Sequence, residues 1–371
     1  MIVTAEYVSP GHPDRICDNI VNELTRLAIK SDTNAFVALE CAVCMEDVFI
    51  DGRVALSSEK IRKAYDISID AMIKRVYKDS GYGNFWLPYP SKLNIHKSLC
   101  IELMNDEEIG NRDYADDQCI SNGYALNNPM TNYLPVEHFV ANFIGTKLWD
   151  KYINSPDSKN YRALLGPDFK ILVYLNNDNN IYTWDRLTLS MPHSETYKYA
   201  DMFKLLLSIL NKEILPFFKT KGFEGLSSIS MEKFHLNGAG LFIKCGPISD
   251  NGLSGKKLAI DYYGPNVPIG GGAIYGKDIH KVDVVGAYSA KKLARILCEK
   301  HKVHEVFTQV SWSPGDSVPY NIRAYTKDQF GLIKYFSDND FPDKDTFSIH
   351  CVANELYGKE SLVAAGSLIG S

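Results

Sequence analysis

Every third of this chain pairs apolar, strand-like runs with one or two amphipathic stretches, and that recurrence limits the folds open to it. Over 14–30, Ile16, Ile20, Leu24, Ala28 and Ile29 mark one helical stripe. The run AFVALECAVCMEDVFIDGRVAL follows, and Asp51-Gly52 inside it predicts the turn of a hairpin. The spacing over 57–76 predicts a second helix, with Ser57 or Ser58 as its cap. The polar stretch 105–117 reads as a boundary or a loop. Next come a helical period over 134–149, two strands over 170–190 around a turn at 176–180, and an amphipathic stretch over 195–216. The last third opens on the strand-like FHLNGAGLFIKCG, and then predicts a helix over 284–300 and a strand at QVSWS. This is not the regular βαβ alternation of a doubly wound sheet. The pattern predicts three α+β units over roughly 1–104, 114–232 and 233–371, with interleaving left open.

The chain has 371 residues, enough to bury about 75% of its unfolded surface without disulfide or metal staples. Its 40 Lys plus Arg against 45 Asp plus Glu leave a net charge of -5, which argues against a whole-surface platform for nucleic acid or anionic membrane. The N-terminal segment, charged at Glu6, does not read as a secretory signal. No apolar run reaches the ~20 residues of a membrane helix. Eight scattered cysteines suit a reducing cytoplasm better than a disulfide framework.

The densest chemistry lies over 245–283. Lys256, Lys257, Lys277 and Lys281 alternate there with Asp250, Asp261, Asp278 and Asp283, around the run Gly270-Gly271-Gly272. Lysines suit phosphates, glycines admit anionic oxygens to backbone amides, and carboxylates there would hold Mg²⁺. The plain alternative is a solvated loop with turn glycines. Neither the P-loop nor the dinucleotide fingerprint is met.

A second cluster, SPGHPDR over 9–15, fixes a rigid turn before the first helix. His12 could meet a leaving oxygen, Asp14 a metal and Arg15 a phosphate, or the stretch could be an ordinary helix start. Cys41 and Cys44 lie three apart on a strand, on opposite faces, and read as packing. His301 and His304 read as a surface helix end. No G-x-S-x-G or comparable triad signature occurs.

Taken together, these stretches resemble the S-adenosylmethionine synthetase family. The family's opening S-E-G-H-P-D-K is SPGHPDR here, followed by ICDNI; its glycine motif is YADDQCISNGYA over 114–125. Further matches are Pro167-Asp168-Phe169-Lys170, His193-Ser194-Glu195, GPISDNGLSGKK over 246–257, GGGAIYGKD over 270–278, and Lys281-Val282-Asp283. The resemblance implies three similar α+β domains around a pseudo-threefold axis. It also implies a homodimer or homotetramer with active sites between subunits. The implied reaction is attack of the methionine sulfur on C5′ of ATP, releasing tripolyphosphate for hydrolysis to phosphate and pyrophosphate.

By the same resemblance His12 serves the leaving oxygen and triphosphate. Lys170, Lys256, Lys257 and Lys277 hold phosphates, joined by Arg15 and Ala273. Asp168 lies beside the nucleotide and Phe242 near adenine. Asp250 bridges nucleoside and methionine, Asp117 lies near the reacting centre, and Lys281 touches the methionine carboxylate. Asp14 and Asp283 hold two Mg²⁺ ions per site, and Glu40 holds K⁺.

The sequence departs from the family at Pro10, Arg15, Tyr114, Asp116, Cys119 and Leu241. Asn105 takes the place of a gating-loop glutamine, and Arg53 that of a glutamate meeting the methionine ammonium. Arg53 there would repel the ammonium by roughly 4 kcal/mol at about 4 Å and an effective dielectric near 20. Three functions follow as expectations: a divergent methionine adenosyltransferase, a synthetase-like enzyme with a changed amino-acid or thioether substrate, and a weakly active subunit regulating a normal synthetase.

Overall fold

Helix starts follow local capping chemistry. In the computed structural model, which describes residues 1–328 and 330–357, β1 (Ile2–Val8) leads to α1 (Pro13–Ser31). The His12 ring caps α1 by accepting from the Asp14 amide, with Pro13 at the first helical position. Next come β2 (Phe36–Cys44), β3 (Asp47–Leu56), α2 (Glu59–Asp79), β4 (Asn94–Leu103) and the one-turn α3 (Asp106–Gly110). Ser58 caps α2 by accepting from the Ile61 amide.

The middle of the chain forms β5 (Cys119–Leu126), α4 (Val136–Asn154), α5 (Ser158–Leu164), β6 (Lys170–Asp178) and β7 (Ile181–Ser190). It continues through α6 (Tyr199–Ile209), α7 (Pro216–Thr220) and the short β8 (Phe234–Leu236). The last part forms β9 (Asn251–Leu253), α8 (Leu258–Asp261), α9 (Val282–His301), β10 (Glu305–Trp312), β11 (Asn321–Lys327), β12 (Ile333–Tyr335) and α10 (Ile349–Tyr357).

These strands make three four-stranded sheets, ordered β1-β6-β7-β8, β4-β3-β2-β9 and β12-β11-β10-β5. The fold is α+β. Two pairs run parallel, β3 with β4 and β7 with β8, and helices span both crossovers. Sheets do not follow contiguous thirds of the sequence: β1 joins the β6–β7 hairpin, β9 joins β2, and β5 joins β10. The last stretch of the expected third unit, 358–371, lies outside the described residues. One core of buried side chains gathers α1, α2 and α9 with the β2–β3 and β5–β10 sheets; a second gathers α4, α6 and α7 on the β1–β6–β7 sheet.

Three local readings are corrected. The first hairpin turns at Met45–Glu46, not at Asp51-Gly52, because Cys44 pairs with Asp47. Gly52 sits inside β3 at φ +120°, where a Cβ would lie 2.1 Å from the Ala38 carbonyl oxygen; close approach, not a turn, requires the glycine. The 105–117 stretch contains α3, started by a capping box between Asn105 and Glu108. Within FHLNGAGLFIKCG only Phe234–Leu236 is strand. The second hairpin turns at Asn179–Asn180, both left-handed, as a two-residue turn favours. Among the described residues no helix is long and apolar enough to cross a membrane. Cys41 is buried and Cys44 exposed, and all eight cysteines are free thiols.

Candidate active site

The helix start, the β9 loop and the glycine-rich loop meet at one end of α1. His12 is 2% exposed, and its Nδ1 accepts from the Asp14 amide at 3.1 Å. Burial, helped by the charge of Lys170, lowers its pKa to about 3, so the imidazole is neutral. Its 3.8 Å approach to the Asp14 carboxylate is therefore not an ion pair. With Nδ1 accepting, the proton sits on Nε2, which makes His12 a neutral hydrogen-bond donor.

Asp14 is held from three sides. Its Oδ1 accepts from the Leu253 amide at 2.9 Å, Lys257 bonds its Oδ2, and Lys256 comes within 3.9 Å. Burial works to raise its pKa, but Lys257 and the Leu253 amide outweigh burial and bring it below the ordinary value. A matching pair forms where Lys277 meets the Asp283 carboxylate. The Lys277 strand segment bridges to Ala38 of β2. Gly272 must be glycine here, since a Cβ would fall 2.0 Å from Asp283 Oδ1.

Asp168 is 3% exposed; its Oδ2 accepts from the Gly246 amide at 2.9 Å, while its Oδ1 is buried with no protein partner. Burial pushes its carboxyl up to about 6. Such an orphaned acceptor calls for a donor from a bound molecule. Lys170, at the start of β6, is exposed, and no ion pair occupies it among the described residues. Asp250 is exposed in the β9 loop, with its Oδ1 accepting from the Asn251 amide. Phe242 is half-buried against the core, and Ala273 lies beside Gly255 of the lysine loop. Asp117 is exposed ahead of β5.

Three of the expected residues have close protein partners. Arg15, expected at phosphate, is 6% exposed and bonds Asp18 at 3.1 Å, Asp261, and Tyr275 Oη at 3.1 Å. Arg53 is not an unopposed cation, because Glu102 takes its Nε at 2.6 Å and Glu108 takes its Nη2 at 2.5 Å. Asn105 spends its side-chain oxygen capping α3, at 2.8 Å from the Glu108 amide. Lys281 lies 3.7 Å from the centre of the Phe36 ring and pairs with Asp116, one of the residues replacing a motif glycine.

Sequence reasoning named Asp261 and Asp278 only as members of the 245–283 cluster, without their arginine partners, and passed over Asp18, Glu102, Glu108 and Arg112. Only Asp18 carried a signal, standing one helical turn beyond Asp14. Its Oδ1 accepts from the Gly255 amide at 2.8 Å, so Asp14 and Asp18 together fasten the loop that carries Lys256 and Lys257.

The donor set fits Mg²⁺. Among the described residues no group of three or more ligating side chains gathers, but Mg²⁺ usually takes one or two carboxylates and completes its shell with substrate phosphate and water. Asp14 and Asp283, each beside a lysine, offer that arrangement. Glu40 lies directly opposite Asp51 across β2 and β3, and both are exposed. Facing like charges repel, so that pair fits a cation.

Two lysine–carboxylate pairs, one beside the neutral His12 and one beside the glycine run, are groups of the kind that suit phosphate and Mg²⁺. Residues 1–98 match the S-adenosylmethionine synthetase N-terminal domain, and residues 244–339 match its C-terminal domain. The S-adenosylmethionine synthase of Azobacteroides pseudotrichonymphae is 31% identical over 335 residues, covering 88% of this chain and 76% of the relative. That of Paracoccus denitrificans is 30% identical over 327 residues, covering 88% and 80%. A solved structure described as an unusual S-adenosylmethionine synthetase from Campylobacter jejuni shares the fold, with a TM-score of 0.81 at 24% identity over 100% of this chain and 95% of that one. The chain belongs to the S-adenosylmethionine synthetase family.

Proposed function

We propose that this protein is an ATP:L-methionine S-adenosyltransferase. The observation that carries the reading is the pairing of Lys257 with Asp14 across 243 positions of sequence beside neutral His12, together with a second lysine–carboxylate pair, Lys277 with Asp283, beside the glycine run. Lys257 and Lys277 can each bond a phosphate oxygen, and Asp14 and Asp283 are the carboxylates that would hold Mg²⁺. Bound Mg²⁺ would neutralise charge on the phosphate chain.

The methionine sulfur attacks C5′ of ATP, the C5′–O bond breaks, and its electron pair leaves with tripolyphosphate. His12 donates its Nε2 proton in a hydrogen bond to the leaving oxygen. Lys170, Lys256, Lys257 and Lys277 hold the phosphates while charge builds on them. The orphaned oxygen of Asp168 accepts from the nucleoside, Phe242 lies against adenine, and Asp250 bridges the two substrates. No protein nucleophile is needed, because the sulfur is one; catalysis is positioning plus charge stabilisation. Water then cleaves tripolyphosphate to phosphate and pyrophosphate. Glu40, facing Asp51, would hold K⁺.

Arg53 does not oppose the methionine ammonium as an isolated charge, since Glu102 and Glu108 neutralise it. The methionine carboxylate reaches Lys281 by displacing Asp116. Exposed apolar residues on sheet faces, among them Phe49, Ile120 and Leu253, suit a homodimer or homotetramer with sites between subunits.

The test is incubation of the purified protein with ATP, methionine, Mg²⁺ and K⁺, followed by mass spectrometry. S-adenosylmethionine is the expected product without any added partner chain. Its absence, alongside phosphate release from added tripolyphosphate, would favour a changed amino-acid substrate. Product only with a partner synthetase would favour the regulatory subunit.

A further inference from the structure

On the outer side of α2 lies a cleft of about 720 Å³, within the range of small-molecule sites. Lys74 and Lys78 stand one turn apart on α2 and form one wall, and Arg162 of α5 forms another. Asn84, Tyr89 and Ser91 add hydrogen-bonding groups, and no acidic residue lines it. Among the described residues Lys74, Lys78 and Arg162 have no ion-pair partner. The Arg162 Nε is buried without a hydrogen-bond partner. The chain carries a net charge of -5, yet three cations with no carboxylate among them gather around this one cavity.

We propose that this cleft is a second anion site, separate from the active site, for a small ligand carrying a phosphate or pyrophosphate group. Two ammonium groups and a guanidinium supply the charge for a multiply charged phosphate. Hydroxyl and amide groups on the 84–91 segment supply its remaining hydrogen bonds. The floor of the cleft is Tyr82, buried, whose hydroxyl donates to the Gly11 carbonyl at 2.6 Å. The ligand therefore sits one side chain behind the turn that presents His12.

The test is calorimetric titration of the full chain with inorganic pyrophosphate. Two sites per chain are expected. Lys277→Ala, which weakens phosphate binding at the active site, should leave the cleft site intact. The double variant Lys74→Ala/Lys78→Ala should weaken the cleft site at least tenfold and leave the other site and the methionine-dependent activity unchanged. Arg162→Gln, from the opposite wall, should weaken the same site. Loss of all pyrophosphate binding in Lys277→Ala, or binding within twofold of wild type at both sites in the cleft variants, would overturn the proposal.

Discussion

Lys257 bonds the Asp14 carboxylate across 243 positions of sequence, and so joins the start of α1 to the β9 loop before any substrate arrives. Asp14→Asn keeps the acceptor for the Leu253 amide but removes the charge. We expect kcat/KM to fall about 100-fold, the scale of losing one preorganised electrostatic partner, with a higher Mg²⁺ requirement. Steady-state rates across a Mg²⁺ titration check this. An unchanged Mg²⁺ dependence would separate Asp14 from the metal.

Arg15→Ala should act on stability. The guanidinium neutralises buried Asp18 and Asp261, and its removal strands both carboxylates. Breaking such a buried cluster costs about 3–5 kcal/mol, read as a lower denaturant midpoint. A preserved midpoint with a raised KM for ATP would return Arg15 to phosphate binding.

Arg53→Glu should loosen α3. Three carboxylates would then crowd where Arg53 now joins Glu102 and Glu108. Faster amide hydrogen exchange over 105–110 and a higher KM for methionine are expected. Improved use of methionine with unchanged exchange would mean that Arg53 faces the ammonium after all.

His138 gives a stability term with a definite pH sign. Burial lowers its pKa to about 4, against 6.5 for the free side chain. Below pH 6.5 the unfolded chain binds the proton more readily, so the stabilisation from a neutral His138 is complete above 6.5 and is lost as pH falls toward 4. The loss amounts to ~3 kcal/mol by pH 4. The denaturant midpoint of wild type should therefore fall relative to that of His138→Leu between pH 8 and pH 5; a constant difference would contradict the buried neutral state.

What the sequence shows of this fold is what depends on near neighbours. The α1 stripe, the Ser58 cap and the Asn179–Asn180 turn each rest on residues within a turn or two. The β2–β3 turn was hidden because Gly52 is needed for a contact with Ala38, which is invisible until the strands pair. The site divides in the same way. Motifs showed which lysines and carboxylates gather, but the partners of Arg15 and Arg53 lie up to 246 and 55 positions away. Local reading treated both arginines as unopposed charges. Pairing across the sheets turned one into a core ion pair and the other into an anchor for α3.

The most direct measurement of the central claim uses ATP labelled with ¹⁸O at the oxygen bridging C5′ and the α-phosphorus. Sulfur attack on C5′ predicts that the label leaves with the phosphate chain and appears in released phosphate or pyrophosphate, with none in S-adenosylmethionine. Label retained on the nucleoside would mean cleavage at phosphorus and would contradict the account.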